Sequence, residues 1–468
     1  MTVNIPNWTS ANLSDISLVV RGITFPASAK LNEWSIDRVC CLRTSNIQKK
    51  LDLRDVYFVD RSYVKREEQI VQPGDILMSM ANSYELVGKV ARADNLIYPS
   101  AFGAFLAAVR STDVINGSYL FNFLKSSEAQ RKLREGSSQT TNIANISAST
   151  LGKLEIPLPP LAEQRRIADK LDTTLARVDA LNDRLARITP LLKRFRQSVL
   201  AAATSGRLTE EWRARRDELE LSAWHRTNLR SCIKSMKGGA SPKVEDYSSS
   251  GTLALNKGDI KPYGYLNSKK NKKFLPKSFV ESNSTKIINP GTLVVTLRDL
   301  SSKADFLGLI SEYISSENAM ITQGMYALEL NSCVIKKYLI YFSNSNNYRE
   351  IMKREKVGAT QVHLRNDQFL DVPIALPSLE EQTEIVRRVE TLFAFADRLE
   401  ARLQSAQTAA ERLTPALLAK AFRGELVPQD PNDEPAAELL RRLRAARAAD
   451  TASKPKRGRA AKASTVSE

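Results

Sequence analysis

Apolar residues recur along two stretches of the chain at steps that alternate four and three. The first stretch carries Ile167, Leu171, Thr174, Val178, Leu181, Leu185, Ile188, Leu192, Phe195 and Val199. The second carries Ile385, Val389, Leu392, Ala396, Leu399, Leu403, Ala406, Ala410, Leu413 and Leu417. Polar residues fill most positions between them. This is a heptad pattern, and it predicts two long amphipathic helices of the coiled-coil type. About 33 residues at 1.5 Å rise give rods of roughly 50 Å. A lone helix of this kind would leave its apolar stripe in water. Two in one chain bury each other, antiparallel, because the segment between them is long enough to return the chain. Pairing between two copies of the chain is the alternative.

The two stretches are copies of one another. Residues 158–208 fall on 376–426 without a gap, and 18 of the 51 positions are identical. "LPPLAEQRRIADKLD" opens the first and "LPSLEEQTEIVRRVE" the second. An acidic residue in each first turn suits the positive end of the helix dipole. Gly206 and Gly424 are placed to end the helices. Pro190 and Pro415 lie inside them and are expected to kink or divide each rod. The match continues upstream at offsets of 216 to 217: Trp8 meets Trp224, Gly22 meets Gly238, and "PGDILMSM" meets "PGTLVVTL". Nearly the whole chain is therefore two copies of a unit of roughly 216 residues.

Ahead of each helix the periodicity changes to that of strands. The first copy has "DISLVV", "DVYFV", "DILMSM" and "FGAFLAAV", then one helical stretch, "YLFNFLKSSEAQRKLREG". The second has "TLALN", "TLVVTL", "LGLISEYI" and "GMYALEL", then "KKYLIYFSNSNNYREIMKREKVG". Turn signals such as "QPGD" and "NPGT" separate the runs. The fold expected is α+β: two tandem α/β domains separated by two long antiparallel helices that form a coiled coil, with an internal pseudo-two-fold repeat. The boundaries drawn are 1–160 and 207–378 for the domains, 161–206 and 379–424 for the helices, and 425–468 for a C-terminal extension with a partly disordered basic tail.

Charge narrows the function. The chain carries a net charge of +17, from 69 basic and 52 acidic residues. The C-terminal 42 residues hold nine basic and six acidic groups, so +14 remains on the body. A basic body points first to nucleic acid, with a solvated basic surface as the bland alternative. "NKGDIKPYGYLNSKKNKKFLPK" (256–277) holds seven lysines, one acid and interleaved aromatics. It suits a phosphate backbone and base edges through Lys257, Lys261, Tyr263, Tyr265, Lys269, Lys270, Lys272 and Lys273. The first copy offers "RTSNIQKK" in the matching place, with Arg43, Ser45, Asn46, Lys49 and Lys50 as candidates. Before each helix stand "GSSQTTN", with Gln139 and Asn142, and "GATQVHLR", with Gln361, His363 and Arg365. Their shared Gly-x-x-Gln is either a base-reading turn or a structural one.

Catalytic and cofactor motifs are missing from the sequence. There is no GxxxxGK[ST], no GxGxxG behind a strand, no Asn-Pro-Pro-aromatic tetrapeptide, no HExxH and no GxSxG. Four cysteines without a CxxC pair, and two histidines, argue against structural zinc or a disulfide framework. No catalytic, cofactor-binding or metal-binding residue is expected. The N-terminal "MTVNIPNWTS" lacks the basic and apolar regions of a signal peptide, and the longest apolar runs are too short to span a bilayer. A cytoplasmic setting is the expectation.

The duplicated "LPPLAEQ" and "LPSLEEQ" boundaries, the helices behind them, the endings "SVLAAATSGRL" and "LLAKAFRGELVPQDPNDEPAAELL", and "GATQ" ahead of the second helix carry a resemblance. Together they resemble the specificity subunit of prokaryotic type I restriction-modification enzymes, over residues 1–440. The resemblance implies two target-recognition domains, each reading half of a split site in double-stranded DNA. It implies helices that form a spacer and dock two modification (methyltransferase) subunits. It also implies restriction subunits that translocate DNA with ATP. S-adenosylmethionine, ATP and magnesium are then expected in the partner subunits, none of them in this chain. The first copy departs from the pattern, with "GSSQTTN" where the second has "GATQ". A helical scaffold without specific DNA binding is the alternative reading.

Overall fold

The computed structural model describes residues 5–140, 142–215, 224–263, 265–266 and 272–453. Two segments are long single helices, Leu161–Thr204 and Leu379–Phe422, of 44 residues each. They end as the glycines require: Gly206 and Gly424 hold left-handed backbone at φ +80° and +71°, which stops the helical ladder at little steric cost. Neither proline divides its helix. Both Pro190 and Pro415 are exposed, as are Ala186 and Glu411 four residues earlier. The carbonyls that lose their N–H partner thus have access to water. A proline inside a helix costs about 3 kcal/mol. Burial of Leu192 and Leu418 close by, at about 1.5–3 kcal/mol each, is enough to offset it.

By compactness the chain forms two units, Met1–Arg184 with Ala406–Glu468, and Leu185–Ser405. Each therefore takes half of each long helix. In the first unit, Ile167 and Leu171 near the start of one helix share a core with Leu418, Ala421 and Phe422 at the end of the other. Phe422 also meets Tyr119 and Phe123 edge-on, with ring centroids 5.4 and 5.1 Å away. In the second unit, Val199, Leu200 and Ala203 share a core with Ile385, Val386 and Val389. Leu192, Ala396 and Leu403 cluster there with Leu185, Ile188, Phe195 and Leu399, and Leu392 packs at the edge of the larger core. Arg196 bridges to Asp397 at 2.6 Å and Glu400 at 2.8 Å. In both units the beginning of one helix lies on the end of the other, so the pairing is antiparallel.

Two heptad positions depart from the expected seam. Leu181 and Leu413 are each 40% exposed, while Val178 and Ala410 are buried and Leu417 is half-buried. Beyond Ala410 the buried face shifts by one residue, to Leu418 and Ala421, where the last turns pack on the domain as well as on the other helix.

The α/β parts share one topology. In the first unit Arg38–Leu42 lies parallel to Ser100–Phe102 and antiparallel to Tyr57–Asp60. A second sheet runs Ser17–Arg21, Leu106–Ser111, Ile76–Ser79, Val90–Arg92. In the second unit Thr252–Leu255 lies parallel to Ala319–Ile321 and antiparallel to Lys273–Leu275. Its other sheet runs Ile233–Gly238, Met325–Leu330, Leu293–Thr296, Ile310–Tyr313, Tyr265–Leu266. The single helical stretch expected after the strands is two helices in each copy, Gly117–Lys125 with Ser127–Glu135, and Lys336–Asn344 with Asn346–Glu355. A serine breaks each pair: the Ser126 hydroxyl accepts from the Ala129 N–H and caps the second helix.

The most alike part of the repeat, Glu-Gln, ties domain to helix. Gln164 and Gln382 are fully buried. Gln164 Oε1 accepts from the Asn116 N–H at 2.8 Å, and Nε2 donates to the carbonyls of Pro159 and Val114. Gln382 does the same with Ile335, Pro377 and Cys333. Trp8 and Trp224 donate their indole N–H to Glu163 at 2.9 Å and Glu381 at 3.1 Å. Glu381 is further held by Thr209 and Arg213. Glu163 is not: its Oε1 is buried without a hydrogen-bond partner, and burial raises the carboxyl above its ordinary pKa. The helical extension Ala436–Ser453 packs on the first domain through Ala436 and Leu440, with Arg444 reaching Asp15 at 3.1 Å. The last basic residues of the tail lie outside the described residues.

Candidate nucleic-acid interface

The loop behind Arg38–Leu42 and the loop behind Thr252–Leu255 are built on one turn. In the first the Arg43 N–H donates to Asn46 Oδ1 at 2.9 Å; in the second the Asn256 N–H donates to Asp259 Oδ2 at 2.8 Å. Asn46 is 2% exposed, and its Nδ2 donates to the carbonyls of Asp52 and Asp55. It closes the turn and leaves nothing for a base, which corrects its assignment as a reader. Arg43 is also partly committed, to Asp55 at 2.5 Å and to the face of Tyr57. Lys49 pairs with Asp179 of the long helix at 2.5 Å, with 63% of its side chain exposed. Ser45 and Lys50 are exposed.

In the lysine-rich loop Tyr263 has a structural role. Its φ is +68°, its N–H donates to Asn344 Oδ1 at 2.8 Å, and its ring packs edge-on to Phe393 at 5.5 Å. It anchors the loop to the long helix Leu379–Phe422. Tyr265 begins the strand Tyr265–Leu266. Lys261 is exposed and donates to the Gly258 carbonyl. Lys272 is exposed, and the exposed Lys273 lies 4.7 Å over the Tyr247 ring. Lys269 and Lys270 lie outside the described residues. Burial, and then Arg298 beside it, lower the pKa of Lys257. Arg298 forms no ion pair among the described residues. An anion such as a phosphate would relieve that crowding.

The segments ahead of the long helices form short ladders. Ser138–Gln139 and Ala144–Asn145 pair in a hairpin that continues onto Ala81–Asn82. Val362–His363 pairs with Arg298–Asp299, setting His363 opposite Arg298. Gln139, Asn142, Asn145, Gln361 and His363 are exposed. The Arg365 N–H donates to Gln368 Oε1, at the start of the short helix Asn366–Leu370. The shared Gly-x-x-Gln is not one turn used twice. Gly358 has φ +103°, and a Cβ there would sit 2.3 Å from the Gln361 carbonyl oxygen, so that turn requires glycine. Gly136 has ordinary helical backbone and closes Ser127–Glu135.

Sequence patterns did not mark Arg21, Asn82, Asn145 or Arg298, which the fold brings to these ladders and to the groove beside the first. That groove is lined by Arg21, Thr24, Phe105, Ser138, Ile143 and Asn145, among others. Arg21 is exposed and forms no ion pair among the described residues. A surface with free guanidinium groups, amides and exposed apolar edges can hold phosphates and read base edges. No helix among the described residues is long and apolar enough to cross a membrane.

Comparison with known proteins bears on this surface. The type I restriction modification DNA specificity domain matches the chain twice, at residues 6–189 and 233–406. The StySPI specificity subunit of the type I restriction enzyme from Salmonella potsdam is 35% identical over 466 residues, 97% of this chain and 98% of its own length. The EcoKI specificity subunit from Escherichia coli is 33% identical over 463 residues, covering 96% and 97%. Among solved structures, the HsdS subunit from Thermoanaerobacter tengcongensis superposes with a TM-score of 0.56 at 19% identity, covering 91% of this chain and all of that one. A chain from a study of complex assembly and conformational transition in the type I R-M system gives 0.62 at 18%, covering 90% and 99%. At that identity the two structures bear on the fold alone.

Proposed function

This chain belongs to the type I restriction-modification specificity family, and from that premise we propose that each domain reads one half of a split, non-palindromic DNA site. The long helices set the spacer between the halves and dock two methyltransferase subunits. The chain itself performs no catalysis. S-adenosylmethionine, ATP and magnesium act in the partner methyltransferase and restriction subunits.

One observation supports this reading above the others. The two domains share topology, turn geometry and the Glu-Gln attachment to a helix, yet the loops on that frame carry unlike side chains. One frame with two sets of loops suits one reading geometry applied to two sequences. Each domain would enter the major groove and contact about three to five base pairs, with half-sites about 34 Å apart on one face of the duplex. Bidentate contacts are worth about 1–3 kcal/mol each in discrimination.

Lysine-to-alanine change at 269, 270, 272 and 273 together tests the backbone part. DNA affinity is expected to fall for all sequences alike. The slope of log affinity against log salt should flatten by about 2–4, since each neutralised phosphate contributes about 0.9. Fluorescence anisotropy over a salt series reads this, and an unaltered slope would reduce the loop to a solvated surface.

A further inference from the structure

A three-residue turn joins two strands in each domain, and its backbone bonds match one for one. In the first, Gly103 N–H donates to Leu42 O at 2.9 Å, Leu106 N–H to Gly103 O at 2.8 Å, and Met80 N–H to Phe105 O at 2.8 Å. In the second, Thr322 N–H donates to Leu255 O at 3.1 Å, Met325 N–H to Thr322 O at 3.1 Å, and Leu297 N–H to Gly324 O at 2.9 Å. A glycine seats each turn. A Cβ on Gly22 would lie 2.2 Å from Gly103 O, and one on Gly239 would lie 2.3 Å from Thr322 O. Ile23 and Ala240, the residues that follow, donate to Phe102 O and Ile321 O.

On this matched frame the side chains differ at every position, Gly-Ala-Phe against Thr-Gln-Gly. Phe105 is 67% exposed, although a large apolar ring gains by burial. It stands between two grooves, one lined by Arg21, Asn145 and Ile143, the other by Lys30 and Arg43. Gln323 is exposed too. Arg298, opposite His363 in its ladder, lies against the neighbouring Gly324. Thr322, beside Gln323, donates its hydroxyl to Leu255 O at 2.7 Å, at the entry to the loop that carries Lys257.

Resting on the half-site reading above, we infer that this turn is a specificity determinant in both domains: Phe105 reads a thymine methyl in one half-site, and Gln323 reads an adenine in the other. An exposed ring flanked by cations suits the apolar C5-methyl edge in the major groove. A glutamine carboxamide matches adenine N6 and N7 in a bidentate pair. The glycines at 22 and 239 let the strand press against the turn, which fixes where it projects.

The test is long-read sequencing of DNA modified by the complete methyltransferase complex carrying Phe105→Ala, Phe105→Leu or Gln323→Ala. Phe105→Ala should relax one A·T position in one half, with the preference there falling about ten-fold or more. Phe105→Leu should keep part of that preference. Gln323→Ala should relax one A·T position in the other half, and the spacer should stay fixed. Unchanged motifs, relaxation in the same half, or modification lost equally with Ala and Leu at 105 would overturn the inference. If the unsubstituted chain gives a split motif and the variants do not alter it, only the turn assignment falls. If the unsubstituted chain gives no split motif, the half-site reading falls first, and this inference with it.

Discussion

Adding seven residues to both long helices, one heptad after Leu185 and one after Leu399, should widen the spacer between the half-sites while leaving their bases unchanged. Leu185 and Leu399 lie in one cluster of the seam, so matched insertions there preserve its apolar register. Seven residues lengthen each rod by about 10 Å, or about three base pairs at roughly 3.4 Å each. The added pairs also turn the duplex, and twisting or bending of the spacer DNA must take that up. A heptad added to one helix alone forces a bulge into the seam, and modification should fall sharply. The modified motif of each variant reads the spacer directly. An unchanged spacer in the doubly extended chain would end the view of the helices as a ruler.

The second large effect is on stability. Gln382→Ala leaves the half-buried Ile335 N–H without its acceptor and removes donors from the carbonyls of Cys333 and Pro377. An unsatisfied buried group costs about 1–3 kcal/mol, and water reaches part of these partners, so a loss of about 1–3 kcal/mol is expected in urea unfolding, with a similar loss for Gln164→Ala. A change within about 0.5 kcal/mol would show that the glutamines are not the joint.

The adjacent glutamates should part ways. Glu381→Gln breaks its ion pair with Arg213 and should cost about 2 kcal/mol, allowing for the part of Arg213 that water reaches. Glu163 has a raised pKa in the fold, so the folded state keeps the proton to higher pH than the unfolded chain does. Wild-type stability therefore falls as pH rises through the interval between those two values, and Glu163→Gln removes that fall. At neutral pH Glu163→Gln should be neutral or stabilising. Destabilisation by both substitutions alike would contradict the asymmetry.

The long helices were legible because a heptad repeat depends on spacing alone, and the copies state it twice. The repeat also located the Glu-Gln joint. Its physical role was hidden, because Trp8 and Glu163 are 155 residues apart and meet only through tertiary folding. The interface was less legible for a related reason. Asn46 and Tyr263 have side chains suited to bases, but the fold uses both to hold their own loops. Conversely, "FGAFLAAV" reads as one unbroken strand. Its middle is the turn that exposes Phe105, because pairing of Ser100–Phe102 with Arg38–Leu42 stops at Phe102 and the next ladder starts only at Leu106. Gly22 aligns with Gly238 by sequence, yet Gly239 does its work, a one-residue shift that only the contacts reveal.

Sequencing the methylated bases in a host that carries this chain with the other subunits of its restriction-modification system is the most direct test of the whole account. Two unlike half-sites separated by a fixed run of unspecified bases are expected. A palindromic or continuous motif, or modification without sequence preference, would contradict it.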